Sequence, residues 1–191
     1  EKFGKDSIIR LDANGAFEEE EAMYKLERLS AFGIHSVEQP VRAGNYAAMR
    51  RIAANAPVAV ALDEELTGLY DETSKREMLA YIRPACIVLK PSLVGGFYGT
   101  EQWIRIAESM GIAWWITSAL ESNIGLNAIA QWTYIHGNPL PQGLGTGALF
   151  TNNTDTPLYT EGGYLRYARG KRPSRCDVEA LFRERYGNGG L

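Results

Sequence analysis

Apolar residues along this chain fall into two alternating patterns. Short runs, most of them rich in Val, Ile or Leu, occupy residues 7–11, 34–38, 58–62, 85–89, 113–116 and, more weakly, 142–145. Runs of that length without strict alternation suit parallel strands covered on both faces. Between them lie stretches with helical spacing, at 18–31, 46–54, 74–82, 100–110 and 124–135. In the first of these, Ala22, Leu26 and Leu29 recur on one face while Glu19, Glu20 and Lys25 take the other. Strand–helix alternation of this kind predicts βαβ units in an α/β fold with a parallel sheet.

The period carries more information than the elements. Polar or special residues close the runs at Asp12, Glu38, Asp63, Lys90, Thr117 and Gly143, at intervals of 26, 25, 27, 27 and 26 residues. A unit that constant predicts a ring of equivalent βα modules, a (β/α) TIM-type barrel. Those residues then stand on its C-terminal rim, where such barrels assemble their sites. A doubly wound open sheet would gather only a few strand ends at its switch point. Six units are legible against the eight of a closed barrel, so the expectation is an incomplete barrel holding strands three to eight.

Residues 1–150 are expected to form this partial barrel with its metal site, and residues 151–191 a C-terminal extension packed on it or on an absent capping domain. Within the extension, 152–167 reads as extended chain turning at Glu161-Gly162-Gly163, and 177–186 as a short helix capped by Asp177. Residues 1–5 read as the end of a helix. Open strand edges at 7–12 and near 142–145 predict that the chain pairs an edge with another copy as a homo-oligomer, folds its terminal segments over the gap, or was cut from a longer chain after folding.

Composition narrows the partners. Hydrophobic residues make up 45%, charged residues 23%, and the net charge is −3. That slight acidity argues against nucleic acid or an anionic membrane, and the basic cluster at 166–175 reads as a solvated tail. Two cysteines (Cys86, Cys176) and two histidines provide neither a disulfide framework nor a zinc site. No apolar run approaches the ~20 residues that span a bilayer, and a reducing cytoplasm is the default compartment.

Neighbouring strands lie ~4.8 Å apart, so carboxylates at Asp12, Glu38 and Asp63 on one rim must repel or share a cation. Hard oxygen ligands without His or Cys select Mg²⁺, with Mn²⁺ as the alternative. Each could instead cap the helix after its strand. The 26-residue register favours Asp63 over its neighbours Glu64 and Glu65. Lys90 follows a buried run and should face the carboxylates, where its ammonium can pair with anionic charge on a substrate. Residues 116–125 bring Thr117, Ser118, free N–H groups and a helix start together, a setting suited to a carboxylate; Ser122 or Asn123 also reads as a plain cap. Gly143 and Gly145 leave room for close approach of a ligand, or serve as turn residues.

Four stretches then match a known pattern: Leu11-Asp12-Ala13-Asn14-Gly15-Ala16, Val37-Glu38-Gln39-Pro40, Ala61-Leu62-Asp63-Glu64-Glu65 and Ile87-Val88-Leu89-Lys90-Pro91. In that order and spacing they resemble the C-terminal domain of the enolase superfamily, in its muconate-lactonizing subgroup, over about residues 6–150. The resemblance implies that Asp12, Glu38 and Asp63 hold Mg²⁺ and that Lys90 is the lysine of the sixth strand. It places Asn14 near the carboxylate of a small-molecule substrate, and Thr117 with Gly143 near a second carboxylate. Residues 117–125 and 143–147 are most similar to the dehydratase branch, which eliminates water in syn fashion from a cyclohexadiene carboxylate through an enediolate.

One departure stands out. The family carries Lys-x-Lys on its second strand, the second lysine being the acid/base. No such motif precedes Asp12, and Lys2 and Lys5 lie outside any strand pattern. The chain is therefore expected to hold the metal site and Lys90 without the main base, and to be inactive alone. N-Acylamino acid racemisation and muconate cycloisomerisation use the same groups and stay open. The Asp-x-Asp pair of dipeptide epimerases is replaced here by Gly143-Leu144-Gly145. A scaffold that keeps the fold without activity is the remaining alternative.

Overall fold

A computed structural model of the chain describes residues 7–168 and Gly170. The readings at 1–5 and 177–186, the cap at Asp177, Cys176 and most of the basic cluster lie outside the described residues. Five strands lie side by side in chain order: β1 (Arg10–Asp12), β2 (Ser36–Glu38), β3 (Ala59–Leu62), β4 (Cys86–Leu89) and β5 (Ala113–Ile116). The pairings from β1 to β4 are parallel. One helix joins each successive pair: α1 (Glu19–Ser30), α2 (Tyr46–Asn55), α3 (Glu72–Ile82) and α4 (Gly96–Ser109). This is the α/β alternation that the apolar pattern predicts, and the sheet is an incomplete barrel sheet. Among the described residues no helix is long and apolar enough to cross a membrane.

The elements follow from local chemistry. In β3 and β4 nearly every residue is buried, as a sheet covered on both faces requires. The acidic first turn of α1, Glu19 to Glu21, complements the positive end of its dipole, and Ala22 and Leu26 are buried. Asn45 caps α2 by accepting the N–H of Ala48 at 3.1 Å, and Asp71 caps α3 by accepting that of Ser74 at 2.8 Å. Arg83 ends α3 in the left-handed region, φ 55°, one residue before Pro84.

Helix α4 begins at Gly96, four residues before the expected start, because glycines at 96 and 99 mask the helical pattern. Gly99 is needed there. A Cβ on it would lie 2.3 Å from the carbonyl oxygen of Val94. Against it packs Lys75 of α3, which is wholly buried. Its Nζ donates to Gln102 Oε1 at 2.7 Å and to the Gly99 carbonyl at 3.3 Å, and lies 5.3 Å from the Trp103 ring. Burial lowers Lys75 below the ordinary lysine value, against the opposing pull of Glu72 and Asp71.

The chain divides into two compact units, Glu1–Trp115 and Ile116–Leu191. In the second, the strand expected at 142–145 is reduced to one parallel bridge between Thr117 and Gly143. Pro139 and Pro141 remove ladder donors and the glycines weaken a strand; the side chain of Gln142 instead accepts the N–H of Ile116, at 2.7 Å. Helix α5 (Asn123–Ile135) buries Leu126 and Ile129. A hairpin follows, β6 (Leu158–Glu161) with β7 (Tyr164–Tyr167), Glu161 pairing with Tyr164. Gly162 and Gly163 turn it with φ of 57° and 82°, as a two-residue hairpin loop of the primed type requires.

The α3–α4 contact generates one prediction. Gly99→Ala should lower stability by about 1–3 kcal/mol, the cost of overpacking against backbone. The ~1 kcal/mol that Ala gains in helix propensity does not offset it. Urea unfolding of the two chains checks this.

Candidate functional site

The strand register decides which side chains share a face. Asp12 pairs with Glu38, Glu38 with Ala61, and Leu62 with Ile87. Asp63 therefore stands two residues beyond the level of Glu38, and Lys90 two residues beyond Asp63. Side chains alternate with a period of two, so even steps keep all four on one face. The rim is not level, as a strict 26-residue register would have it; it climbs by one alternation at β3 and again at β4. A staggered sheet of this kind is how strands tilt toward barrel closure.

The electrostatics show how closely these groups interact. Lys90 Nζ is ion-paired with Asp63 Oδ2, and both side chains are largely buried. Glu38 shares a hydrogen bond with Asp63. Burial, then the charges of Asp12 and Asp63, push Glu38 up to about 8, with Lys90 opposing. For Lys90 burial works against the charge, but Asp63, Glu38 and Glu64 together more than offset it and hold the lysine above its usual value. Asp12 is exposed, and one of its oxygens accepts the backbone N–H of Asn14 at 2.8 Å. Asn14 itself is exposed, with a φ of 48° that Asn tolerates.

Among the described residues no three His, Cys, Asp or Glu side chains converge closely enough, as they stand, to enclose a metal ion. The donor chemistry nevertheless fits a hard dication. The carboxylates gather on one face, burial and then the anionic charge of Asp12 and Asp63 keep the proton on Glu38, and Glu64 Oε2 is buried without a hydrogen-bond partner. The two residues after Asp63 separate cleanly. Glu65 is committed to Gln39 Nε2 at 3.0 Å and to the N–H of Gly44 at 3.1 Å. Glu64 is pushed up by burial and by Asp63. Sequence spacing marks neither role; the buried oxygen of Glu64 shows only in three dimensions.

In the second unit, Thr117, Ser118 and Gly143 come together. Thr117 Oγ1 donates to the Gly143 carbonyl at 2.9 Å, and Ser118 N–H donates to the same oxygen at 3.2 Å. Ser118 Oγ hydrogen-bonds Thr146 Oγ1. A Cβ at Gly143 would lie 2.5 Å from Thr117 Oγ1, so the space beside this glycine is filled by Thr117, whereas Gly145 has none within 4 Å. Two of the N–H groups expected to be free for an anion are taken. The Glu121 carboxylate accepts that of Ala119 at 2.9 Å and 3.0 Å, and Asn153 Oδ1 accepts that of Asn123 at 2.8 Å. Ser122 holds the cap position without a side-chain cap bond; Asn153, thirty residues beyond Asn123, does that work.

The chain matches the enolase C-terminal domain-like family over residues 1–171. It is 55% identical over 157 residues to an o-succinylbenzoate synthase of Desulfotalea psychrophila, covering 82% of this chain and 42% of that protein. It is 36% identical over 128 residues to a chloromuconate cycloisomerase of Pseudomonas putida, covering 67% and 34%. The crystal structure of MenC from Desulfotalea psychrophila superposes with a TM-score of 0.80 at 54% identity, over 83% of this chain and 44% of that one. A muconate lactonizing enzyme from Pseudomonas putida superposes at 0.70 with 23% identity, over 87% and 49%, and shares the fold. The chain spans less than half the length of these relatives.

The charge cluster predicts a pH dependence for the metal-free chain. An ordinary glutamate titrates at 4.5, whereas folded Glu38 holds its proton to about 8. The folded state binds the proton more tightly, so this contribution is fully present below about pH 4.5 and is lost as pH rises through about 8. Stability should fall across that window, and Glu38→Gln should flatten the fall. Urea midpoints measured through it check both.

Proposed function

Because the chain belongs to the enolase C-terminal domain-like family, we propose that its parent protein is an o-succinylbenzoate synthase. Such a lyase removes water from 2-succinyl-6-hydroxy-2,4-cyclohexadiene-1-carboxylate to give 2-succinylbenzoate. The single observation that carries this reading is the 55% identity to the Desulfotalea synthase over 157 residues, 82% of this chain. On this reading Asp12, Glu38 and Asp63 would hold Mg²⁺, for which Mn²⁺ could substitute. The cation supplies neutralisation of charge on the substrate carboxylate as the adjacent proton is lost.

The rest falls to the protein's own groups. Lys90, kept above its usual value, is an ammonium at neutral pH and acts as a cation rather than a base. Its pairing with Asp63 is the ground-state stand-in for pairing with substrate charge. Asn14 lies near the reacting carboxylate, and Thr117, Ser118 and Gly143 bind the second one. No Lys-x-Lys occurs in these 191 residues, so we assign proton removal to a lysine outside them. We read residues 1–150 as the barrel portion with its metal site and 151–191 as the extension. The edge of β1, where Ile8 and Ile9 are exposed, would pair with further chain or with another copy.

The full-length protein should dehydrate this substrate only with Mg²⁺ or Mn²⁺ present. Lys90→Ala should lower kcat by roughly 10²–10³-fold, as for other losses of a charge-stabilising group. The 191-residue chain alone should show no turnover. N-Acylamino acid racemisation outpacing dehydration in the full-length protein would reassign the activity. Turnover by the chain alone would place a base among its own residues.

A further inference from the structure

Asp12 and Glu38 close β1 and β2, and Asp63 directly follows β3, so the rim carboxylates sit at the mouths of three separate loops, which need something to index them against one another. Gln39 touches all three. It is wholly buried, and its φ of 39° lies in the left-handed region, which an L-residue with a side chain adopts only under constraint. Its backbone N–H donates to the Ala61 carbonyl of β3 at 2.9 Å. Its carbonyl accepts the N–H of Gly15, in the loop leaving Asp12, at 2.7 Å. The side chain then reaches to the loop after β3. Its Oε1 accepts the N–H groups of Asp63 at 3.3 Å and Glu65 at 3.4 Å. Its Nε2 donates to Glu65 Oε2 and to the Val41 carbonyl, both at 3.0 Å.

Every donor and acceptor that a glutamine possesses is thus engaged, and none with solvent. Glu65 extends the network, its Oε1 accepting the N–H of Gly44 at 3.1 Å. The amide is the side chain that fits: it accepts from two backbone N–H groups and donates to a carboxylate and a carbonyl at once. A carboxylate at this position would face Glu65, and an apolar chain would strand buried partners.

We propose that Gln39, granted the metal-site reading above, is the positioning residue of the rim. It indexes the loops that leave Asp12 and Glu38 against the loop that carries Asp63, so that the three carboxylates converge on one divalent cation. Partners of this kind, behind the ligands, typically alter metal affinity 10–100-fold.

Two variants test it on the chain. Gln39→Met keeps the length and removes the amide; Gln39→Asn keeps the amide and withdraws it by one methylene, and stands in if the first does not fold. Leu79→Ala, in the core on α3, is a destabilised control remote from the rim. Hydrogen exchange reads the Asp63 and Glu65 amides, and calorimetry reads Mn²⁺ binding. Both Gln39 variants should lose protection selectively at Asp63 and Glu65 and bind Mn²⁺ at least about 10-fold more weakly. Leu79→Ala should bind as the unmodified chain does. Retained protection, or unchanged Mn²⁺ affinity in Gln39 variants as unstable as Leu79→Ala, overturns the proposal. If the unmodified chain takes up no Mn²⁺, the metal-site reading falls on its own, and the two amides alone decide whether Gln39 indexes the loops.

Discussion

Repulsion between carboxylates set on one sheet face is the force around which the first unit is arranged. Parallel register with a period of two leaves Asp12, Glu38 and Asp63 no way to turn from one another without a slip that would also expose the core residues Val37, Val60 and Leu62. The protein meets this in two ways. Lys90 brings a cation to Asp63, and Glu38 keeps its proton. Both responses are reversible, so on the metal-site reading proposed above a dication would replace the proton and release the lysine.

Much of this was legible in the amino-acid order because two periodicities are simple. Apolar runs such as Val58-Ala59-Val60-Ala61-Leu62 can be read without context, and the near-26-residue spacing exposes the rim. The climb of the rim was not legible, since spacing counts residues and cannot report how far neighbouring strands slide. Nor was α4 complete, because Gly99 obeys a packing demand against Val94 rather than helix propensity, and Gly96 opens the helix at a φ of 68°. The strand expected at Gln142-Gly143-Leu144-Gly145 has the right position, but its backbone pairing is confined to the single bridge at Gly143, and a side chain takes the N–H of Ile116.

The site itself divides along the same line. Charged residues that end strands announce themselves. Residues that act by holding others do not: Gln39 and Glu65 stand in the matched stretches and Asn153 in an extended run, but their holding roles show only when their bonds are traced. Free N–H groups are likewise invisible in a sequence: Ala119 and Asn123 seemed open to a ligand, yet Glu121 and Asn153 already occupy them. The polar residues that matter most here are those with no spare hydrogen-bonding capacity.

Lys75 carries a consequence on the timescale of descent. Its ammonium serves both Gln102 and the Gly99 carbonyl in a space closed to water. Replacing Lys75 alone strands two acceptors; replacing Gln102 alone strips a buried cation of its best partner. Either step passes through a weakened protein, so the two positions are bound to drift together, 27 residues apart in the gene and one hydrogen bond apart in the fold. Lineages that lose this lysine should have lost the glutamine as well, leaving apolar side chains in both places.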